Sequence, residues 1–344
     1  MAALTVALYH VSWQTHFSSL GFIRNGSMMV DFFFVLSGFV VFHAYGDRLG
    51  SLALTKQFFI TRLGRLYPLH LLTLLAFLAI ECAKWGAAHW SGVRIASVAF
   101  EQNTAASFVA NLLLVHSLGP FAVPTWNVPS WSISVEFYTY LLFALVALVR
   151  PSRRSWLLLS AGIALGSLAA SWQVAGSMES TAQFGWFRCI TGFFSGVLVW
   201  HFYAALLLRW RSPGVLALVS GVLVAMFLSV RQAGHADFLI VPLFMALILF
   251  IALGKPGSML EGRGFVWLGR ISYTTYMIHA VLIWGFEFLL QYVIKVPRTD
   301  FYQTGVWMGD MLAAAFVVLL LGASHFTFQT IEDPCRRYAK RFVA

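Results

Sequence analysis

Long apolar stretches, separated by short polar segments, run through almost the whole chain. A membrane-spanning helix needs about 20 mostly apolar residues. Eleven stretches come near this requirement, and they are 1–22, 28–45, 66–83, 108–118, 131–149, 155–174, 188–208, 213–230, 237–253, 271–293 and 305–324. The stretch 108–118 would cover only about 16 Å as a helix, against a hydrocarbon core of about 30 Å.

The distribution of charge indicates what the stretch 108–118 does. If it does not cross, ten spans leave both termini on one side, which then carries 16 of the 23 Lys and Arg residues, and the other side carries seven. If it crossed, the basic cluster at Arg150, Arg153 and Arg154 would change sides and weaken this bias. The positive-inside rule therefore favours cytoplasmic termini and a re-entrant or flat 108–118. The sequence predicts an all-α polytopic membrane protein with about ten transmembrane helices, in a single domain over residues 1–344.

Composition supports this prediction and excludes several classes of protein. The chain is 60% hydrophobic and only 10% charged, whereas soluble proteins carry about 25% charged residues. A soluble enzyme, a disordered chain and a nucleic-acid-binding domain are excluded, and the net charge of +10 is attributed to basic loops. The three cysteines are too few and too scattered for a disulfide framework, and no His or Cys spacing predicts a metal site.

Ionisable residues inside apolar spans are functional candidates, because each is costly to place in a membrane. His10, Asp31 and Glu136 all fall in the outer half of the membrane in the predicted topology, so they can converge. A histidine beside a carboxylate can take a proton from a hydroxyl group, since the carboxylate fixes the imidazole tautomer. The alternative is a buried polar cluster that only ties helices together. His279 and Asp310 are candidates for a structural pair between two helices.

Arg62 and Arg65 are three residues apart, so they project from one face of a helix before Pro68. Because arginine binds phosphate through two parallel hydrogen bonds, such a pair at the cytoplasmic membrane edge suits a phosphate-bearing ligand. The alternative is that the two arginines only set the topology or contact anionic lipids.

Six short motifs occur in an order that resembles the membrane acyltransferase family 3. They are Leu8-Tyr-His10, Val30–Phe39 (VDFFFVLSGF), Phe59–Pro68 (FITRLGRLYP), Trp131–Tyr138 (WSISVEFY), Gly269–His279 (GRISYTTYMIH) and Ile331–Pro334 (IEDP). Each motif alone is weak, but the six together cover nearly the whole chain.

The resemblance implies transfer of an acyl group, usually acetyl, from cytoplasmic acyl-CoA to a hydroxyl of an extracytoplasmic glycan or lipid-linked sugar. We interpret the chain as a bacterial inner-membrane enzyme, and we expect it to need no metal because no His or Cys cluster has the spacing of metal ligands. His10 matches the essential histidine of the family, and Arg62 and Arg65 match the arginine pair associated with acyl-CoA. Asp31 and Glu136 occupy acidic positions of the family, and either could be the partner of His10. Direct attack by the hydroxyl and an acyl-histidine relay both remain open.

The start of the chain departs from the family pattern. The family has a basic residue eleven positions before the histidine, which would be position −1 here, and the apolar part of the first span is short. We therefore expect a longer native chain with a basic residue upstream of Met1. We expect no soluble domain after the last span, because the chain ends about twenty residues beyond it.

Two other functions compete with acyl transfer. A transporter or flippase for a lipid-linked sugar would use the buried histidine and acids as a proton relay. A membrane scaffold without catalysis would leave the buried His10 unexplained.

Overall fold

The computed structural model of the protein describes residues 1–46, 48–90, 98–207, 214–232, 234–254, 259–294 and 305–343. All regular elements in these ranges are helical. The α-helices are α1 Ala2–Tyr9, α2 Gly21–Arg24, α3 Met29–Tyr45, α4 Leu52–Trp90, α5 Ala105–Leu112, α6 Trp131–Leu148, α7 Arg153–Ala175, α8 Gly185–Leu206, α9 Gly214–Val230, α10 Ile240–Ala252, α11 Arg263–Phe288, α12 Val306–Thr327 and α13 Asp333–Arg341. Short 3₁₀ turns precede α3, α6, α10 and α11, and π-helical turns at Leu289–Val293 and Phe328–Glu332 follow α11 and α12.

Eight helices in the described ranges are long and apolar enough to cross a membrane, so the protein is a multi-pass membrane protein. The other two predicted spans differ from this pattern. The 17-residue helix Gly214–Val230 is apolar but extends only about 26 Å, and the predicted span 1–22 is not one helix. The predicted span ends at 208 and 213 lie outside the described residues. Six of the basic residues in the charge count also lie outside them, and they are Arg94, Arg209, Arg211, Lys255, Lys295 and Arg298.

Polar side chains explain why the first predicted span is broken. The helix α1 ends at Tyr9, and the chain then runs without regular structure to α2. In this segment Ser12 donates a hydrogen bond to Glu287, and His16 contacts the Asp310 carboxylate at 2.5 Å. The predicted pair of His279 and Asp310 is therefore wrong, because Asp310 is paired with a histidine from the N-terminal segment.

The helix α4 joins two features that the sequence analysis separated. It runs unbroken through Pro68, so the segment with Arg62 and Arg65 and the predicted span 66–83 form one helix. Proline has no backbone N–H and cannot bond the carbonyl four residues earlier, which belongs to Gly64. The arginine pair is consequently rigidly connected to the transmembrane part of α4.

The short helix α5 overlaps the start of the predicted stretch 108–118 and is about 12 Å long, too short to cross the bilayer. Its last carbonyls have no partner within the helix, which is costly away from water. Two side chains of α4 donate to these carbonyls: Tyr67 bonds Leu112 O at 3.0 Å, and His70 bonds Asn111 O at 2.8 Å. Side-chain hydroxyls of α6 similarly bond the carbonyls of residues 113 and 114.

The helices α3 and α8 form the centre of the bundle, and glycines bring their backbones together. A Cβ atom on Gly38 of α3 would lie 1.8 Å from the Phe193 carbonyl oxygen of α8. A Cβ atom on Gly196 of α8 would lie 2.0 Å from the Val35 carbonyl oxygen of α3. Gly192 and Gly196 are four residues apart, the small-residue spacing that allows close packing of membrane helices.

We expect Gly38→Ala to destabilise the protein, because its methyl group cannot fit against the α8 backbone. Overpacking of this kind typically costs about 1–3 kcal/mol. Gly162→Ala in α7 is the matched control, since no residue that the structure describes comes within 4 Å of a Cβ atom there. Thermal unfolding of the purified variants in detergent measures the difference. Equal melting temperatures for the two variants would show that the α3–α8 contact is not tight.

Candidate active site

Two cavities lie beside α3 and meet at Val30 and Tyr276, which line both of them. The arginine cavity, of about 170 Å³, is lined by residues that include Arg62, Arg65, Glu136 and Tyr140. The histidine cavity, of about 290 Å³, is lined by residues that include His10, Glu179 and Arg188. The arginine cavity follows α3 from Val30 to Val41, a distance of about 16 Å along the helix.

His10 lies at the end of α1 and faces the histidine cavity. Its Nδ1 atom is 2.8 Å from the Val6 carbonyl oxygen one turn earlier in the helix. A carbonyl oxygen can only accept, so Nδ1 carries the proton and Nε2 of the neutral ring has a free lone pair. A carboxylate was expected to fix the tautomer of His10. In the structure a backbone carbonyl fixes it instead.

The His279 ring packs against His10, with ring centroids 5.0 Å apart. His279 is fully buried, and its Nδ1 atom lies 2.6 Å from the Tyr276 carbonyl oxygen. Its Nε2 atom is buried and has no hydrogen-bond partner among the described residues. The buried His279 ring therefore forms one wall behind the candidate base.

Asp31 forms a buried ion pair with Arg188 of α8. The Arg188 Nε and Nη2 atoms each donate to one Asp31 oxygen at 2.7 Å, and Asp31 is fully buried. Arg188 also donates to the Ser27 carbonyl oxygen and lies over the Trp131 ring, 5.2 Å from its centroid. Asp31 thus holds a cation at the wall of the histidine cavity, and no hydrogen bond joins it to His10 in the described part of the chain.

Glu136 faces the arginine cavity rather than the histidine cavity. It accepts hydrogen bonds from the Ser37 hydroxyl and the Tyr140 hydroxyl, both at 2.6 Å. Its carboxylate also lies within electrostatic range of Arg62. The structure therefore brings His10 and the Asp31–Arg188 pair to one cavity and places Glu136 in the other.

The two arginines differ in their surroundings. Arg62 is buried, and its guanidinium carbon lies 5.1 Å from the Tyr45 ring centroid, with Phe58 and Tyr140 also close. Its Nε atom has no hydrogen-bond partner among the described residues. Arg65 is exposed, and neither arginine forms an ion pair within the described ranges. Aromatic rings that pack on Arg62 orient its guanidinium group, which suits an anionic ligand.

Tyr276 separates the two cavities. Its hydroxyl donates to the Pro129 carbonyl oxygen at 2.8 Å and accepts from the Ser132 hydroxyl at 2.9 Å. These bonds hold the phenol ring across the boundary between the cavities. A long flexible ligand in the arginine cavity would approach the histidine cavity beside Tyr276 and Val30, which line both.

Sequence reasoning missed Arg188 and Tyr276 as site residues. Arg188 was counted among the basic residues outside the membrane, although a buried aspartate at position 31 requires a cationic partner. The need of Asp31 for a cation was the available signal. Arg188 was a candidate partner because it is the first residue of a predicted span. Tyr276 lies in the motif Gly269–His279, which supported the resemblance to the family but was given no role in the site.

These features define a class of protein before any comparison is made. The chain is a multi-pass membrane protein in which a histidine, with its Nδ1 atom bonded to a backbone carbonyl, faces one cavity. An adjoining cavity presents two arginines without ion-pair partners in the described ranges. Such a site can remove a proton close to where an anionic ligand binds.

The family model described as an acyltransferase domain matches residues 1–325 of the chain. The protein therefore belongs to this acyltransferase family, and it is an enzyme that transfers acyl groups. The resemblance stated from the six motifs is confirmed.

Three curated proteins are similar to the chain. Acyltransferase MdmB of Streptomyces mycarofaciens is 29% identical, over 99% of this chain and 90% of that protein. Peptidoglycan O-acetyltransferase OatA of Listeria monocytogenes is 24% identical over 98% of this chain, which spans only 54% of OatA. Protein 2 in picA locus of Rhizobium radiobacter is 52% identical over 48 residues, 14% of this chain and 25% of that protein. No solved structure matches the chain.

We expect Asp31→Asn to destabilise the protein severely, because it leaves the buried Arg188 guanidinium without its partner. Breaking a buried pair in this way costs about 3–5 kcal/mol. The double variant Asp31→Asn with Arg188→Met should be more stable than Asp31→Asn alone, since it leaves no uncompensated charge.

Thermal unfolding and the yield of folded protein measure both effects. Asp333→Asn is the control, because its ion pair with Arg336 is partly exposed. A double variant that is no more stable than Asp31→Asn would show that Asp31 does more than neutralise Arg188.

Proposed function

We propose that this acyltransferase moves an acyl group, most simply acetyl, from cytoplasmic acyl-CoA to a hydroxyl of a surface glycan or lipid-linked sugar. The meeting of the arginine cavity and the histidine cavity at Tyr276 carries this proposal. One cavity offers cationic groups for a phosphate-bearing donor, and the other offers a base for an acceptor. The name of the relative OatA, a peptidoglycan O-acetyltransferase, supports an acetyl group and a glycan hydroxyl.

We further propose ten membrane segments in one domain, with both termini in the cytoplasm of a bacterial cell and the protein in the cytoplasmic membrane. The charge distribution supports this orientation. Arg62 and Arg65 then lie at the cytoplasmic side, where acyl-CoA is available. The histidine cavity lies toward the opposite side, where glycans are assembled.

In the proposed reaction, Arg62 and Arg65 bind donor phosphates and the pantetheine arm extends along α3 toward Tyr276. The Nε2 atom of His10 takes the proton of the acceptor hydroxyl, and the hydroxyl oxygen attacks the thioester carbonyl carbon. The carbon–sulfur bond then breaks, and the CoA thiolate takes the proton from the His10 imidazolium. Asp31 acts indirectly, because it holds Arg188 at the wall of the histidine cavity. Glu136 holds Ser37 and Tyr140 in the wall of the arginine cavity through hydrogen bonds.

We expect His10→Ala to reduce acyl transfer by a factor of about 10² or more, because the reaction loses its general base. Membrane vesicles that contain the variant, supplied with acetyl-CoA labelled in the acetyl group, give the rate of label transfer to the glycan fraction. His16→Ala is the matched control, since His16 is exposed and lies outside both cavities. Near-normal transfer by a normally inserted His10→Ala protein would refute the general-base role.

We expect Arg62→Ala and Arg65→Ala each to weaken CoA binding by about tenfold, because each removes charged hydrogen bonds to phosphate. Lysine should restore the binding only in part, since it lacks the planar fork of arginine. Equilibrium binding of CoA to detergent-purified protein measures this, with Arg154→Ala as the control outside the arginine cavity. Unchanged affinity in both single variants would reduce the pair to topology determinants.

A further inference from the structure

The C-terminal helix α13 packs against the part of α4 that carries the arginine pair. Gly64 lies between Arg62 and Arg65, and a Cβ atom on it would be 2.1 Å from the Ala339 Cβ atom of α13. The absence of a side chain at Gly64 is therefore what allows α13 to lie directly on the arginine-bearing turn.

A second contact anchors the start of this helix. Glu332, in the π-helical turn before α13, is buried and accepts a hydrogen bond from the Thr274 hydroxyl at 2.5 Å. Thr274 follows Ser272 and Tyr273, which line the arginine cavity, and Arg65 lies within electrostatic range of Glu332. The helix is thus fixed at both ends beside the arginine cavity.

The basic residues of α13 are not equivalent. Arg336 and Arg337 are both paired with Asp333, at 2.6 Å and 3.0 Å. Lys340 and Arg341 form no ion pair with any residue in the described ranges. Lys340 directly follows Ala339, which packs on Gly64 between the two arginines, and it is exposed. Arg341 is the next residue, about 100° further around the helix.

We propose that Lys340 is a third donor-binding residue, which contacts the phosphate on the ribose of a coenzyme A thioester. The inference rests on the proposed use of an acyl-CoA donor. Coenzyme A carries a diphosphate between its pantetheine arm and its nucleoside, and a separate phosphate on the ribose. With the thioester directed toward Tyr276, the diphosphate meets Arg62 and Arg65. The ribose phosphate, further along the donor, meets Lys340 on the exposed surface of α13.

The test compares binding of CoA and of dephospho-CoA, which lacks only the ribose phosphate, to detergent-purified protein. We expect Lys340→Gln to weaken CoA binding by about fivefold and to leave dephospho-CoA binding unchanged, because only CoA has the group that Lys340 contacts. High salt should reduce the difference, since the contact is exposed. Lys340→Arg should retain most of the affinity for CoA.

Arg341→Gln is the matched control, because it removes the same charge from the adjacent position on the same helix. Equal losses for both ligands, or equal effects of Lys340→Gln and Arg341→Gln, would overturn the proposal. An effect of Lys340→Gln that appears only in nanodiscs with anionic lipid, and equally for both ligands, would assign the lysine to lipid phosphates and also overturn it. If the unaltered protein bound neither ligand and did not use acetyl-CoA, the proposed donor itself would be wrong.

Discussion

The position of α3 is the constraint on which the rest of the structure depends. This helix lines both cavities, so any shift of α3 changes the two cavities together. Two different interactions hold it against α8: the close backbone contact at Gly38 and the buried ion pair of Asp31 with Arg188. The first tolerates no added atom, and the second cannot lose one partner without leaving a buried charge. Together they fix the depth and the rotation of α3.

The candidate base and the candidate anion-binding arginines lie in two separate cavities. His10 keeps a free nitrogen because a backbone carbonyl, rather than a carboxylate, holds its proton. The carboxylates are engaged elsewhere, Asp31 by Arg188 and Glu136 by two hydroxyl groups. In the proposed reaction the base faces one cavity and the arginines face the other, with Tyr276 between them, so the acceptor stays apart from the bulk of the donor. Only the reacting ends need to meet.

Several features of the fold and site followed from the sequence because they depend on local physics. Apolar stretches of membrane length had to be helical, since only helices satisfy their own backbone groups in lipid. The spacing of Arg62 and Arg65 placed them on one helix face, and the short stretch 108–118 was too short to cross. The failures were at polar residues with distant partners. The first span broke because Ser12 and His16 bond residues of α11 and α12, which lie almost 300 residues later in the chain.

The sequence by itself determined the class of protein, the family and the residue types available for catalysis. Periodicity, composition and the order of motifs are properties of single segments and needed no knowledge of packing. Only the tertiary structure decided which polar group meets which: Asp31 with Arg188, Asp310 with His16, and His10 with a carbonyl of its own helix. In an apolar bundle a buried charge is costly without a partner, and several residues in the sequence could meet that need equally well. The choice depends on helix rotation and close approach, which glycines such as Gly38 and Gly64 permit at single points.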